Sequence, residues 1–195
     1  MAKTTFKADK NIKIILADLK DDFVNYQYEI IGGPQTGFKH KVDGIGIVDN
    51  DLKEAFAKLN VHLAVIDDIF HHSEIEVQDI DTMHNDPRAT LYNVTGFRIK
   101  GNDESGAVIL KGNKYLSGGA RMELETPRTP MDDLSSYKWH NELKTAVDKC
   151  LLEVALYHAG KYTLVEEEEK PEKARQLTIA AGQDDDNDDF EANRI

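Results

Sequence analysis

Hydrophobic and polar positions alternate over residues 3–48, then shift to a three- and four-residue recurrence. Ile12, Ile14 and Leu16 stand between Lys13 and Ile15, and this strand stops at the acidic cluster Asp18 to Asp22. The run from Phe23 to Ile31 is rich in β-branched and aromatic residues and places Val24, Tyr26, Tyr28 and Ile30 on one face. Gly32-Gly33-Pro34 breaks it, and Phe38 to Val42 and Ile45 to Val48 are shorter strands separated by Gly44. Asp21-Asp22 reads as the turn between the first two strands.

From Asp51 onward the period changes. Leu52, Phe56, Leu59, Leu63, Ile66 and Phe70 form the stripe of one helix buried along one side, with Asp51 as N-cap and Glu54 completing a capping box. Asp67 and Asp68 near its end oppose the macrodipole and blur the boundary. Glu74 to Val77 is a short strand and Asp79 to Pro87 a polar loop. A β block follows: Leu91 to Lys100, a turn over Gly101 to Gly106, Ala107 to Lys111, glycine turns, and Ala120 to Thr126. Short strands at this spacing predict a meander or small barrel. A second helix spans Ser135 to Ala159, its stripe carrying Trp139, Leu143, Val147, Cys150 or Leu151, Val154 and Tyr157, and Gly160 stops it. Asp132-Asp133 ahead of it are expected caps.

Charge adds a boundary. The chain of 195 residues has a formal net charge of -12, but Glu166 to Ile195 holds eleven acids and four bases, so this segment contributes -7 and residues 1–165 contribute -5. The segment cannot bury enough apolar surface to offset its ordering entropy and reads as disordered. The expected organisation is therefore an α+β domain over 1–162, with a small antiparallel sheet or barrel of OB type (oligonucleotide/oligosaccharide-binding) and two amphipathic helices, followed by a disordered acidic tail over 163–195. No apolar run approaches the ~20 residues of a membrane span. There is no secretory h-region, and the single cysteine, Cys150, forms no internal disulfide, which places the chain in a reducing cytoplasm.

Catalytic motifs are largely missing. The chain has no phosphate-cradling glycine loop and no Gly-x-Ser-x-Gly, and Gly44-Ile45-Gly46 lacks the third glycine of a dinucleotide fingerprint. His71-His72, with Asp67, Asp68, Glu74 and His84 nearby, is the one cluster with metal-ligand chemistry. On a helix Asp67 and His71 share a face, but no second pair at a diagnostic spacing accompanies them, and a solvated helix end explains them better. No catalysis and no cofactor are expected.

Aromatic and basic residues interleave in the β block. Tyr26, Tyr28, Phe97 and Tyr115 are the candidate stacking residues. Lys39, Lys41, Arg98, Lys111, Lys114 and Arg121 are the candidate phosphate contacts. A single strand of nucleic acid needs a flat π face for each base and a cation near each phosphate, and alternate residues of a strand emerge on one side to supply both. The more ordinary reading is half-buried tyrosines and solubilising lysines. With the tail residues Asp184, Asp185, Asp186, Asp188, Asp189 and Phe190, the layout resembles bacteriophage single-stranded DNA-binding proteins of the OB type. Glu191 to Ile195 after the aromatic, and the long helix before the tail, depart from that family's pattern. The resemblance implies sequence-tolerant single-stranded DNA binding in replication or recombination, with a tail that competes with DNA and recruits replication or recombination proteins. The alternative is a protein-binding module, a phage inhibitor or assembly factor that uses its acidic surface.

Overall fold

The computed structural model describes residues 6–101, 106–133 and 135–164. Met1–Val165 forms one compact unit. The tail positions Asp184, Asp185, Asp186, Asp188, Asp189 and Phe190 lie outside the described residues.

A hairpin of β1 (Ile12–Lys20) and β2 (Phe23–Ile30) opens the fold. Its turn is Asp21-Asp22, with Asp21 at φ 54°, a left-handed conformation that aspartate tolerates better than most side chains. β3 (Lys39–Val42) returns along β2, and β4 (Gly46–Val48) leads into the helices α1 (Asn50–Ala57) and α2 (Asn60–Ile66). Two short helices, α3 (His72–Val77) and α4 (Ile80–His84), precede the second β segment of β5 (Tyr92–Lys100), β6 (Ala107–Tyr115), β7 (Arg121–Glu125) and β8 (Thr129–Pro130). The helix α5 (His140–His158) and the strand β9 (Tyr162–Leu164) complete the described chain.

The main sheet runs β3-β2-β1-β5-β6-β7 with β8 also paired to β6, and every pairing is antiparallel. The first and last β segments meet through β1 and β5, with Leu16, Ala17 and Asp18 opposite Arg98, Phe97 and Gly96. Residues directly opposite in an antiparallel pair share a face, so the inner face carries Ala17, Val24, Tyr26, Phe97, Val108 and Leu110, all buried. Against it lie Leu52 and Phe56 of α1, Leu63 of α2, and Leu143, Val147, Cys150 and Val154 of α5, forming one continuous core. Among the described residues the edge strands β3 and β7 do not pair with each other, so of the antiparallel sheet or barrel expected, it is the open sheet that forms.

Several local expectations change. The single helix from Leu52 to Phe70 is two helices, because Leu59 N donates to Phe56 O (2.9 Å), an i→i−3 bond that interrupts the regular ladder. Its cap is Asp49, whose Oδ1 accepts from Asp51 N (2.9 Å), two residues before the expected Asp51. Glu74 to Val77 is helical, not a strand. Glu74 Oε2 accepts from His71 N (2.8 Å), and both Glu74 oxygens accept from Arg88, so the first turn of α3 is fixed from outside. The predicted polar loop contains α4, capped by Asp79 accepting from Thr82 N (2.7 Å). α5 starts at His140, so Asp132-Asp133 do not cap it. Thr163 and Leu164, expected in the tail, pair with β4. Lys161 beside them donates to Asp51 Oδ2 (2.6 Å) and Glu153 Oε2 (2.8 Å), tying β9 to α1 and α5.

Candidate functional site

Strand register sorts the candidate residues by face. Lys39 and Lys41 stand opposite Glu29 and Gln27, Arg98 stands opposite Leu16 and Ile109, and Lys111 stands opposite Gly96 and Glu125. Tyr115 faces Arg121 across the β6–β7 pair. All six of these candidates therefore belong to the outer face, away from the helices. Lys39, Lys41, Tyr115 and Arg121 are exposed, while Arg98 and Lys111 are half-buried in the middle of the sheet. Five strand gaps of ~4.8 Å separate β3 from β7, so the cations are spread over a surface ~24 Å wide.

Acidic residues are interleaved with them. Lys39 lies 4.0 Å from Glu29, Lys41 4.0 Å from Asp43 and Lys111 3.9 Å from Glu125. Exposed pairs this long hold their cations weakly and leave them open to other anions. Arg98 and Arg121 have no ion pair or hydrogen-bonded side-chain partner among the described residues.

The remaining candidates turn inward. Phe97 is fully buried with its ring 5.6 Å from that of Phe56, so it offers no face to a base. Tyr26 is buried as well; its hydroxyl lies 2.8 Å from His158 Nδ1, and burial pushes its phenol up to about 12. Tyr28 is half-buried on the same side, stacked on His40 at 5.1 Å and edge-on to His158 at 5.0 Å. Lys114 donates to Asp67 Oδ2 (2.7 Å), which also accepts from Tyr92 OH (2.6 Å), and this pair stabilises the end of α2 despite the unfavourable helix position of Asp67. Of the ten candidates in the folded body, the inner face thus removes Tyr26, Tyr28, Phe97 and Lys114 from the site, and Tyr115 is the remaining aromatic. Inward burial wins because these side chains fill the space between sheet and helices, where apolar rings contribute most.

Sequence reasoning missed a groove of about 910 Å³ at the upper end of this face. β1 and β5 pair only at Leu16–Asp18, and β5 bulges between Val94 and Gly96, so the two strands part beyond Asp18. Asp18, Lys20, Thr95, Lys111, Asn113 and Arg121 line the opening, and Phe56 of α1 shows at its base. Gly96 permits the closure of one wall: a Cβ there would lie 2.3 Å from Asp18 Oδ1. A glycine inside a strand pattern was the available signal, since it marks a bulge or a close approach.

A second cleft, of about 650 Å³, lies between α4 and the start of α5 and includes His62, His84 and Trp139. His62 is buried with Nδ1 2.8 Å from Tyr137 OH, and desolvation depresses its pKa to about 4. Asp67 ends α2 and His71 precedes α3, so the expected shared helix face of a metal site does not exist. Among the described residues no group of three or more His, Cys, Asp or Glu is placed to hold a metal ion. Cys150 is buried and burial pushes its thiol up to about 12, which disfavours the reactive thiolate. No described helix is long and apolar enough to cross a membrane.

No protein-family model, curated protein or solved structure matches the chain.

Proposed function

We propose that the protein binds single-stranded DNA across the outer face of its sheet, as a non-catalytic accessory factor in replication or recombination. The observation that carries this reading is the convergence of Lys39, Lys41, Arg98, Lys111 and Arg121, from β3, β5, β6 and β7, on one face of a chain whose net charge is -12. Distribution rather than total charge governs attraction of a polyanion. Phosphate contacts dominate, and base stacking is confined to Tyr115. The acidic tail, in this reading, competes for the same cations and recruits partners.

Anisotropy of a labelled oligo-dT tests this. Affinity should fall log-linearly with salt and rise for a chain ending at Val165; absence of binding by either chain at low salt rejects the proposal.

A second reading has its own support. Tyr115, Leu116 and Met122 expose apolar surface at the end of the β6–β7 hairpin, beside interleaved acids, which suits a protein partner. A protein-binding module of this kind, a phage inhibitor or assembly factor, predicts no oligonucleotide binding.

A further inference from the structure

The groove contains polar groups that the fold does not use. Asn113 is only 7% exposed, yet its carboxamide makes no hydrogen bond with any described residue. It lines the groove, and because no fully buried side-chain nitrogen or oxygen lacks a partner among the described residues, the unbonded carboxamide is open to solvent there and has its donor and acceptor to offer a ligand. Asp18 lines the same space, its carboxylate held over Gly96 and without a hydrogen-bond donor among the described residues. Tyr115, two residues beyond Asn113 on the same face of β6, brings an exposed ring to the rim. The volume of about 910 Å³ is ample for a planar heterocycle with its sugar.

We propose that this groove accepts one unstacked nucleobase carrying an exocyclic amine, with Asn113 pairing its edge, Asp18 accepting from the amine and Tyr115 covering its plane. A carboxamide presents a donor and an acceptor in one plane, the complement of a base edge, and a carboxylate accepts from an amine such as cytosine N4. Thymine has no such amine and places a carbonyl against Asp18. The proposal rests on the single-stranded DNA reading and deepens it from phosphate contact to base preference.

The test uses the full chain with three labelled probes of equal length: oligo-dC, oligo-dT and an abasic deoxyribose-phosphate oligomer. Oligo-dC should bind roughly tenfold more tightly than the abasic probe, with oligo-dT between them. Asp18→Asn should close the gap between oligo-dC and oligo-dT, and Asn113→Ala should bring both to the abasic level. Tyr115→Ala, at an exposed position that does not threaten folding, should narrow the difference between base-bearing and abasic probes. If all three probes bind alike with a steep salt dependence, the base site is overturned while the DNA-binding reading stands. Equal affinity for oligo-dC and oligo-dT, both above abasic, overturns the amine assignment; failure of every probe to bind removes both readings.

Discussion

The two faces of the sheet draw on the same strands and do opposite work. On β5, Phe97 points inward to the ring of Phe56 and is fully buried, while its neighbour Arg98 points outward with no ion-pair partner among the described residues. On β6, Lys114 is committed to Asp67 beneath the sheet, whereas Lys111 has only a 3.9 Å approach to Glu125 above it. The inner face uses its polar groups to stabilise the fold. The outer face leaves Arg98, Arg121, Asn113 and Asp18 with bonds to offer. A residue type thus says little about role until its face is known.

That contrast can be broken by mutation. Phe97→Ala should lower stability by ~3–5 kcal/mol in urea denaturation, and Arg98→Ala next to it by no more than ~0.5 kcal/mol. A comparable loss for both would mean that the outer face is structural too.

pH sharpens the inner face. His62 has a folded pKa of about 4 against an ordinary 6.5, so the folded state holds it neutral where the unfolded chain takes up a proton. Its contribution is complete above the unfolded value and is lost as pH falls from 6.5 towards 4, on the order of 3 kcal/mol. Denaturation across that window should show the loss, and His62→Gln should flatten it.

For the outer face, Tyr115→Ala should weaken DNA binding by ~1–3 kcal/mol. Tyr28→Ala, on the helix side, should leave oligo-dT affinity unchanged. The smallest effect is the most diagnostic: Arg121→Ala should lower the slope of log affinity against log salt by ~0.7, while Lys114→Ala should not alter it.

Part of this contrast was legible beforehand. Adjacent strand residues point to opposite sides, so alternation alone separates Phe97 from Arg98, and an odd spacing separates Lys111 from Lys114. Which of the two sides faces the helices is the part that alternation leaves open. The groove was harder to foresee, because it depends on where β1 stops pairing with β5 and on a bulge at Thr95. Of these, only Gly96 leaves a trace in the sequence.

By itself the sequence determined the strand and helix periods, the Asp21-Asp22 turn, the stripes on α1 and α5, the buried cysteine position and the uneven charge. These depend on neighbours within a few residues, where propensity and periodicity act. The tertiary structure alone decided that helices cover the Phe97 side rather than the Arg98 side, that the sheet stays open, and that β9 docks on β4. It also decided that Asn113 and Asp18, from strands on either side of β5, line one groove with their polar groups unbonded among the described residues. Such outcomes depend on pairings between distant segments, for which local pattern offers equivalent choices and packing selects one.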